Sequence, residues 1–191
     1  MAVRGRPKAP VRIVEVVMDD QQLSERDYLL RDIHCITRDI ESTIEFVASL
    51  GLIHNSAVCC NQPMHFVIRQ NFSDGKAWSC CVCKRYRSIR RDSFFSGSCV
   101  PLPRLVELMF WWVEIDCKQS VIRRQVGIGT EAIVNWFKYF KGICSMWCYD
   151  HRTDENGAVL EINEEYTWRQ FHRQSLFVSF IRCIRDYYPM Q

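Results

Sequence analysis

Thiols are the side chains in this sequence best equipped for chemistry. Cys80 and Cys83 form a C-x-x-C pair framed by Trp78 and Lys84, and Cys59 and Cys60 stand side by side upstream. Thiolates at this spacing can grip one tetrahedral ion from a single turn of backbone, and zinc is the usual occupant. Spacing nominates Cys60, Cys80 and Cys83. The fourth ligand is open among Cys59, Cys81, His54 and His65, because side chains of adjacent cysteines are expected to diverge. The expectation is a structural Zn2+ with Cys59 carried as the fourth candidate. The competing reading is a ribbon that packs its thiols as small hydrophobes.

Cations follow the thiols. Residues 76–91 hold six basic side chains (Lys76, Lys84, Arg85, Arg87, Arg90, Arg91) and no acid. Acids gather elsewhere: eight in residues 19–45 against three arginines, and six in residues 150–165 against one. Blocks of one sign point to separate tasks, and a cationic block suits a polyanion such as double-stranded DNA. Near the start, Arg4-Gly5-Arg6-Pro7 with Lys8 is similar to the core of an AT-hook, an extended peptide that enters the narrow minor groove. The plainer alternative is a solvated basic tail or a nuclear-import sequence.

The elements that would position these groups read as an α+β chain. Residues 1–22 form a flexible basic tail, although the short apolar run at 11–18 could be a lone strand. Residues 23–53 read as one helical segment, with Ser24 as N-cap, Asp27 completing a capping-box pattern and Gly51 as terminator. Residues 54–98 read as a zinc-ribbon-like β module. Residues 65–69 and 76–80 flank Ser73-Asp74-Gly75, which is hairpin chemistry, and residues 85–91 could add a third strand. Residues 99–150 turn helical, with helices over 103–116, 120–126 and from Thr130 onward. Gly127-Ile128-Gly129 forms the turn, Thr130 caps through its hydroxyl, and Ile133, Trp136, Phe137, Phe140, Ile143, Cys144 and Trp147 mark one face. Two helices joined through such a turn suggest a helix-turn-helix. Its exposed Thr130, Glu131, Asn135 and Lys138 would face base edges, while Lys118, Arg123 and Arg124 would meet phosphates. Residues 151–191 contain a polar linker, a possible strand at 158–162 and a possible last helix at 176–187.

At 191 residues with 48% hydrophobic content the chain can bury a real core. No secretory signal and no apolar run of bilayer length is evident, so a soluble protein without membrane association is expected. Eleven cysteines, an odd number, favour metal ligation and free thiols over disulfides in an unsecreted protein.

The string W-S-C-C-V-C-K-R-Y-R-S-I-R-R-D-S-F-F at residues 78–95 resembles W-x-C-x-x-C-x-x-x-x-S-I-R-x-G-S-F/W-F of Merlin-type DNA transposases and their bacterial insertion-sequence relatives. Gly51-Leu52-Ile53, Cys60 with Met64, and Ile133-Val134-Asn135-Trp136 with Cys144 match further family motifs in order, over roughly residues 40–165. The resemblance implies that the ribbon and helix-turn-helix bind transposon ends and that an RNase-H-like domain supplies a DDE carboxylate triad. The family's first catalytic aspartate lies in V-E-I-D-E. The matching string here is Leu160-Glu161-Ile162-Asn163-Glu164, so Asn163 stands where the metal-binding aspartate belongs. An amide loses the charge that helps hold Mg2+. Only 28 residues follow Asn163, too few for the rest of that domain. Asp92, where the family carries glycine, is a further departure.

The expectation is a nuclear, transposase-derived DNA-binding protein without transposase catalysis. Cationic contacts would come from Arg4, Arg6, Lys84, Arg85, Arg87, Arg90, Arg91, Arg123, Arg124 and Lys138, joined by Thr130 and Asn135. The alternative is a protein-interaction module. It would use the acidic 19–45 segment and the aromatics of Trp111-Trp112 and residues 136–140 to pair with itself or with an intact transposase. A residual nuclease using Glu161, Glu164 and Glu165 is a third reading.

Overall fold

The computed structural model describes residues 11–115, 117–151, 164–172 and 175–190. Arg4, Arg6, Asn163 and the strand expected at 158–162 lie outside them. Residues 11–18 form no strand. The start of this run is instead held by Asn55, whose Oδ1 accepts from Ile13 N at 3.0 Å and Val14 N at 2.8 Å and whose Nδ2 donates to the Val14 carbonyl at 2.9 Å; its end is held by Met18 N donating to the Ser49 carbonyl.

The single helix expected over 23–53 is three short ones, α1 (Asp20–Ser24), α2 (Leu30–Ile36) and α3 (Ile40–Ser49). It is broken where α2 and α3 restart, with Leu29 N donating to Asp32 Oδ2 at 3.0 Å and Asp39 as the cap of α3, while a box at Asp19 starts α1. Asp19 Oδ1 accepts from Gln22 N at 2.8 Å, and Asp19 N donates back to Gln22 Oε1 at 3.1 Å, a true capping box. Ser24, expected as the cap, instead ends α1 and donates to the Asp20 carbonyl. Asp39 caps α3 by accepting from both Ser42 N and Ser42 Oγ. These bonds favour its ionised form and hold its carboxyl below the usual range. Gly51 does end α3. At φ 68° it permits Leu52 N to reach the Val47 carbonyl and Gly51 N the Ala48 carbonyl, a Schellman closure.

The middle of the chain carries two small antiparallel sheets. A two-strand ribbon pairs β1 (Val58–Cys59) with β2 (Gln62–Pro63). A three-strand sheet runs β3 (His65–Ile68), β4 (Lys76–Ser79), β5 (Tyr86–Ser88), in the order the hairpin signal at 73–75 leads one to expect. Ala77 and Trp78 of β4 are buried, and Trp78 packs on Phe66 with ring centroids 5.3 Å apart.

Three helices follow: α4 (Leu102–Glu114), α5 (Gln119–Val126) and α6 (Thr130–Asp150). Gly127, at φ 71°, caps α5. Thr130 does not cap α6. It is the first helical residue, Gly129 takes the cap position, and the Thr130 hydroxyl accepts from Arg123 Nη1 at 3.1 Å. The predicted face of α6 is buried at Ile133, Trp136, Phe140, Ile143 and Cys144.

Two further helices, α7 (Glu164–Phe171) and α8 (Leu176–Tyr187), complete the described chain. Arg169 of α7 donates to the Trp112 carbonyl at the end of α4 and sits over the Trp112 ring. Helix α8 buries Phe177, Val178, Phe180, Ile181, Cys183 and Ile184 against α4 and α6. It also reaches the N-terminal elements, where Tyr28 meets Phe177 and Arg185 donates to the Met18 carbonyl. One apolar cluster therefore runs from Leu23 through the sheet to Ile184. Trp112, Trp136 and Phe140, expected as an interaction surface, belong to this core: α8 supplies Phe180 as the partner of Trp112 and Phe140, and Trp136 packs on Phe94 and Phe140.

Candidate metal centre and cationic surface

The β1–β2 ribbon turns through Cys60 and Asn61, both in the left-handed region at φ 51° and 57°. A two-residue loop with positive φ at both positions is the tight hairpin that matches strand twist, and asparagine tolerates it. That turn rotates the Cys60 side chain back toward Cys59. The sulfurs of these neighbours lie 3.8 Å apart, and Cys59 Sγ is 3.7 Å from Cys83 Sγ. The expected divergence does not occur, because it presumes extended backbone at Cys60.

The second knuckle leaves β4 at Cys80, buried at 1% exposure, and closes at Lys84, also left-handed at φ 60°. Cys83 N points at Cys80 Sγ at 3.4 Å. Together Cys59, Cys60, Cys80 and Cys83 place four sulfurs within 4.8 Å of one another. A tetrahedron with metal–sulfur bonds of about 2.3 Å has edges of about 3.8 Å, so the spacings of Cys59 to Cys60 and Cys83 suit one bound ion. Cys81, His54 and His65 stand outside this group.

Electrostatics mark the same cluster. Amide hydrogens of Cys83 and Val82 stabilise the Cys80 thiolate and bring its pKa down to about 6. Crowding by the neighbouring sulfurs, Cys83 and Cys59 first, pushes Cys60 up to about 12. Cys59 is raised as well, with Cys83 the main cause. One thiol ionises readily and its neighbours then resist further negative charge, a conflict that a bound cation removes. Arg87 adds an outer contact missed in the sequence: its Nη2 lies 3.6 Å from Cys59 Sγ and its Nη1 donates to the Val58 carbonyl.

The cations divide by location. Lys84, Arg85 and Arg91 are exposed around the second knuckle and β5. Lys118, Arg123 and Arg124 of the α5 region are exposed, as are Thr130, Glu131, Asn135 and Lys138 of α6. Two members of the basic block are committed internally. Lys76 pairs with Glu41 at 3.0 Å. Arg90, expected on the DNA surface, is 2% exposed; it forms a two-point ion pair with Asp74 and donates to the carbonyls of Ser98 and Val100. Asp74 also accepts from Leu102 N, so this pair fastens the hairpin turn to the start of α4. Four of the five N–H donors of Arg90 are taken and the side chain is buried, so it is not available to phosphate. Of the acidic residues considered for metal, Glu165 is engaged by Lys141 and Arg169, and Glu164 by Ser145.

Comparison of the chain with protein-family models, with characterised proteins and with solved structures found no match. Among the described residues no helix is long and apolar enough to cross a membrane.

Proposed function

We propose that this chain is a nuclear DNA-binding protein of Merlin-type transposase descent, organised by a structural zinc ion on Cys59, Cys60, Cys80 and Cys83. The observation that carries this reading is the cluster of four sulfurs within 4.8 Å of one another, two of its spacings at 3.7 and 3.8 Å, flanked by exposed Lys84 and Arg85. An all-thiolate donor set is soft and closed, which favours a structural ion over a catalytic one. Bound there, zinc would supply cross-linking of the two knuckles and neutralise their thiolates. The chain's own contribution is to aim cations outward from a fixed turn.

Helices α5 and α6, joined through Gly127 and Gly129, are proposed as a helix-turn-helix. In that arrangement Lys118, Arg123 and Arg124 meet backbone phosphates. Thr130, Asn135 and Lys138 face base edges, and Asn135 has the donor–acceptor pair that suits adenine. Transposase ancestry draws support from Asp92, whose φ of 60° lies where glycine is favoured, and glycine is the residue the family string has there. No catalytic role is proposed, since Asn163 is neutral at the position of the family's first metal-binding aspartate.

The test is a mobility shift on duplex DNA at two salt concentrations, with metal content measured on the same preparation. Neutralising roughly five phosphates gives a log–log salt slope of about −4 to −5. One equivalent of zinc is expected. Absence of any shift at low salt defeats the reading.

A further inference from the structure

Two clefts meet beside the cationic surface, at the turn Ser96-Gly97-Ser98, which lines both. The larger, about 610 Å³, is lined on its other side by Tyr86, Arg87, Ser88 and Arg91. The second, about 430 Å³, falls among the sizes of small-ligand sites, about 300–1,000 Å³. Its lining is aromatic: Phe94, Trp136, Tyr139 and Tyr188, with Asn135 beside them.

The rings are arranged by burial. Phe94 and Trp136 are nearly buried and form a floor, while Tyr139 and Tyr188 are 60% and 38% exposed and form walls. Each wall is held by an edge contact, Tyr139 on Trp136 at 5.5 Å and Tyr188 on Phe94 at 5.3 Å. Exposed but oriented aromatic faces lose little on stacking with a flat ring. Asn135 offers an amide donor and acceptor at the wall. Next door, Arg87 is held by the Cys59 knuckle, and Arg91 has only an exposed pair with Asp92, which leaves guanidinium donors for an anion. Arg90 lines that cleft too, but its donors are occupied by Asp74 and backbone carbonyls. At the junction Gly97 sits at φ 74°, and a Cβ there would meet nothing within 4 Å. A backbone crossing between the clefts can approach it closely.

From this juxtaposition we infer that the paired clefts bind an unpaired nucleotide, its base between Tyr139 and Tyr188 and its phosphate at Arg87 and Arg91. Bases in a duplex offer only their edges to a protein, whereas an aromatic slot reads a base by its face. The ligand class is therefore a nucleic acid with an unpaired terminal or extruded nucleotide. The inference rests on the DNA-binding reading and goes beyond it.

The experiment is fluorescence anisotropy of the full chain with one duplex in three forms: blunt, with a short single-stranded overhang, and with the same overhang made abasic. Stacking of a base on aromatic side chains predicts about tenfold tighter binding of the overhang form. The abasic overhang keeps the phosphate for Arg87 and Arg91 but has no base to stack, so it should lose most of that gain. Tyr139→Ala should abolish the overhang gain and leave blunt-duplex affinity within about twofold. Equal affinity for blunt and overhang forms overturns the inference, as does an abasic overhang that keeps the whole gain. A Tyr139→Ala variant that weakens all forms in proportion also overturns it. Failure to bind even the blunt duplex strikes the DNA-binding reading itself, so the two outcomes are distinct.

Discussion

Cys60 shows how much one dihedral angle decides. Its left-handed φ lets a residue next in sequence to Cys59 become a fourth corner rather than a diverging neighbour. Cys59→Ser and Cys80→Ser should each reduce bound zinc well below one equivalent, while Cys81→Ser should retain it, as read by metal analysis of purified variants. Acid should weaken the site as well. The ion binds thiolates, so protons compete with it. Cys59 and Cys60 are held above the usual thiol range and are protonated near neutrality, so at least two protons must leave on binding. Affinity should then rise at least about a hundredfold per pH unit near pH 7. Below about 6, where Cys80 also takes a proton, the dependence should steepen. Chelator competition across this range measures the slope, and a flat profile would exclude thiolate ligation.

Between elements, the Asp74–Arg90 pair is the decisive joint. It binds the β3–β4 turn to the loop before α4, and both side chains are almost fully enclosed. Removing one partner leaves the other charged and buried, which costs about 3–5 kcal/mol. Arg90→Ala should therefore lower the melting temperature sharply. Arg91→Ala, one residue on but exposed, should leave it nearly unchanged and weaken DNA binding instead. Thermal unfolding and mobility shift on both variants separate the roles. The reverse pattern would place Arg90 at the interface. The adjacent arginines look alike in sequence, since both lie in one basic run. Only the fold assigns one to the joint and the other to the surface.

Across the whole molecule, the last helix closes the core. Phe180 of α8 meets Trp112, Phe140 and Trp168, drawn from α4, α6 and α7. Phe180→Ala should cost about 3–5 kcal/mol, the range for a buried aromatic. Because the apolar cluster is continuous from Leu23 to Ile184, helix and tryptophan signals should be lost together in one transition. Separate transitions by circular dichroism and fluorescence would show that the sheet and helices unfold independently.

Local signals made much of this architecture legible. The turn at 73–75 fixed the β3–β4 hairpin, the 3.6-residue period marked α4 and α6, and Gly51 and Gly127 ended their helices through positive φ. The C-x-x-C at Cys80 and Cys83 was plain for the same reason, since its ligands lie within one backbone turn. Short-range caps were harder to place: Asp32 and Asp39 compete for the chain against a longer helix, and their side-chain bonds win. What the tertiary structure alone decided is which of two equivalent residues goes inside. It brought Cys59 to Cys83, drew Arg90 rather than Arg91 to Asp74, and covered Trp112 and Phe140 with Phe180 of α8. Each of these depends on a partner distant in sequence, and burial is settled by that partner rather than by the residue's own type or its neighbours.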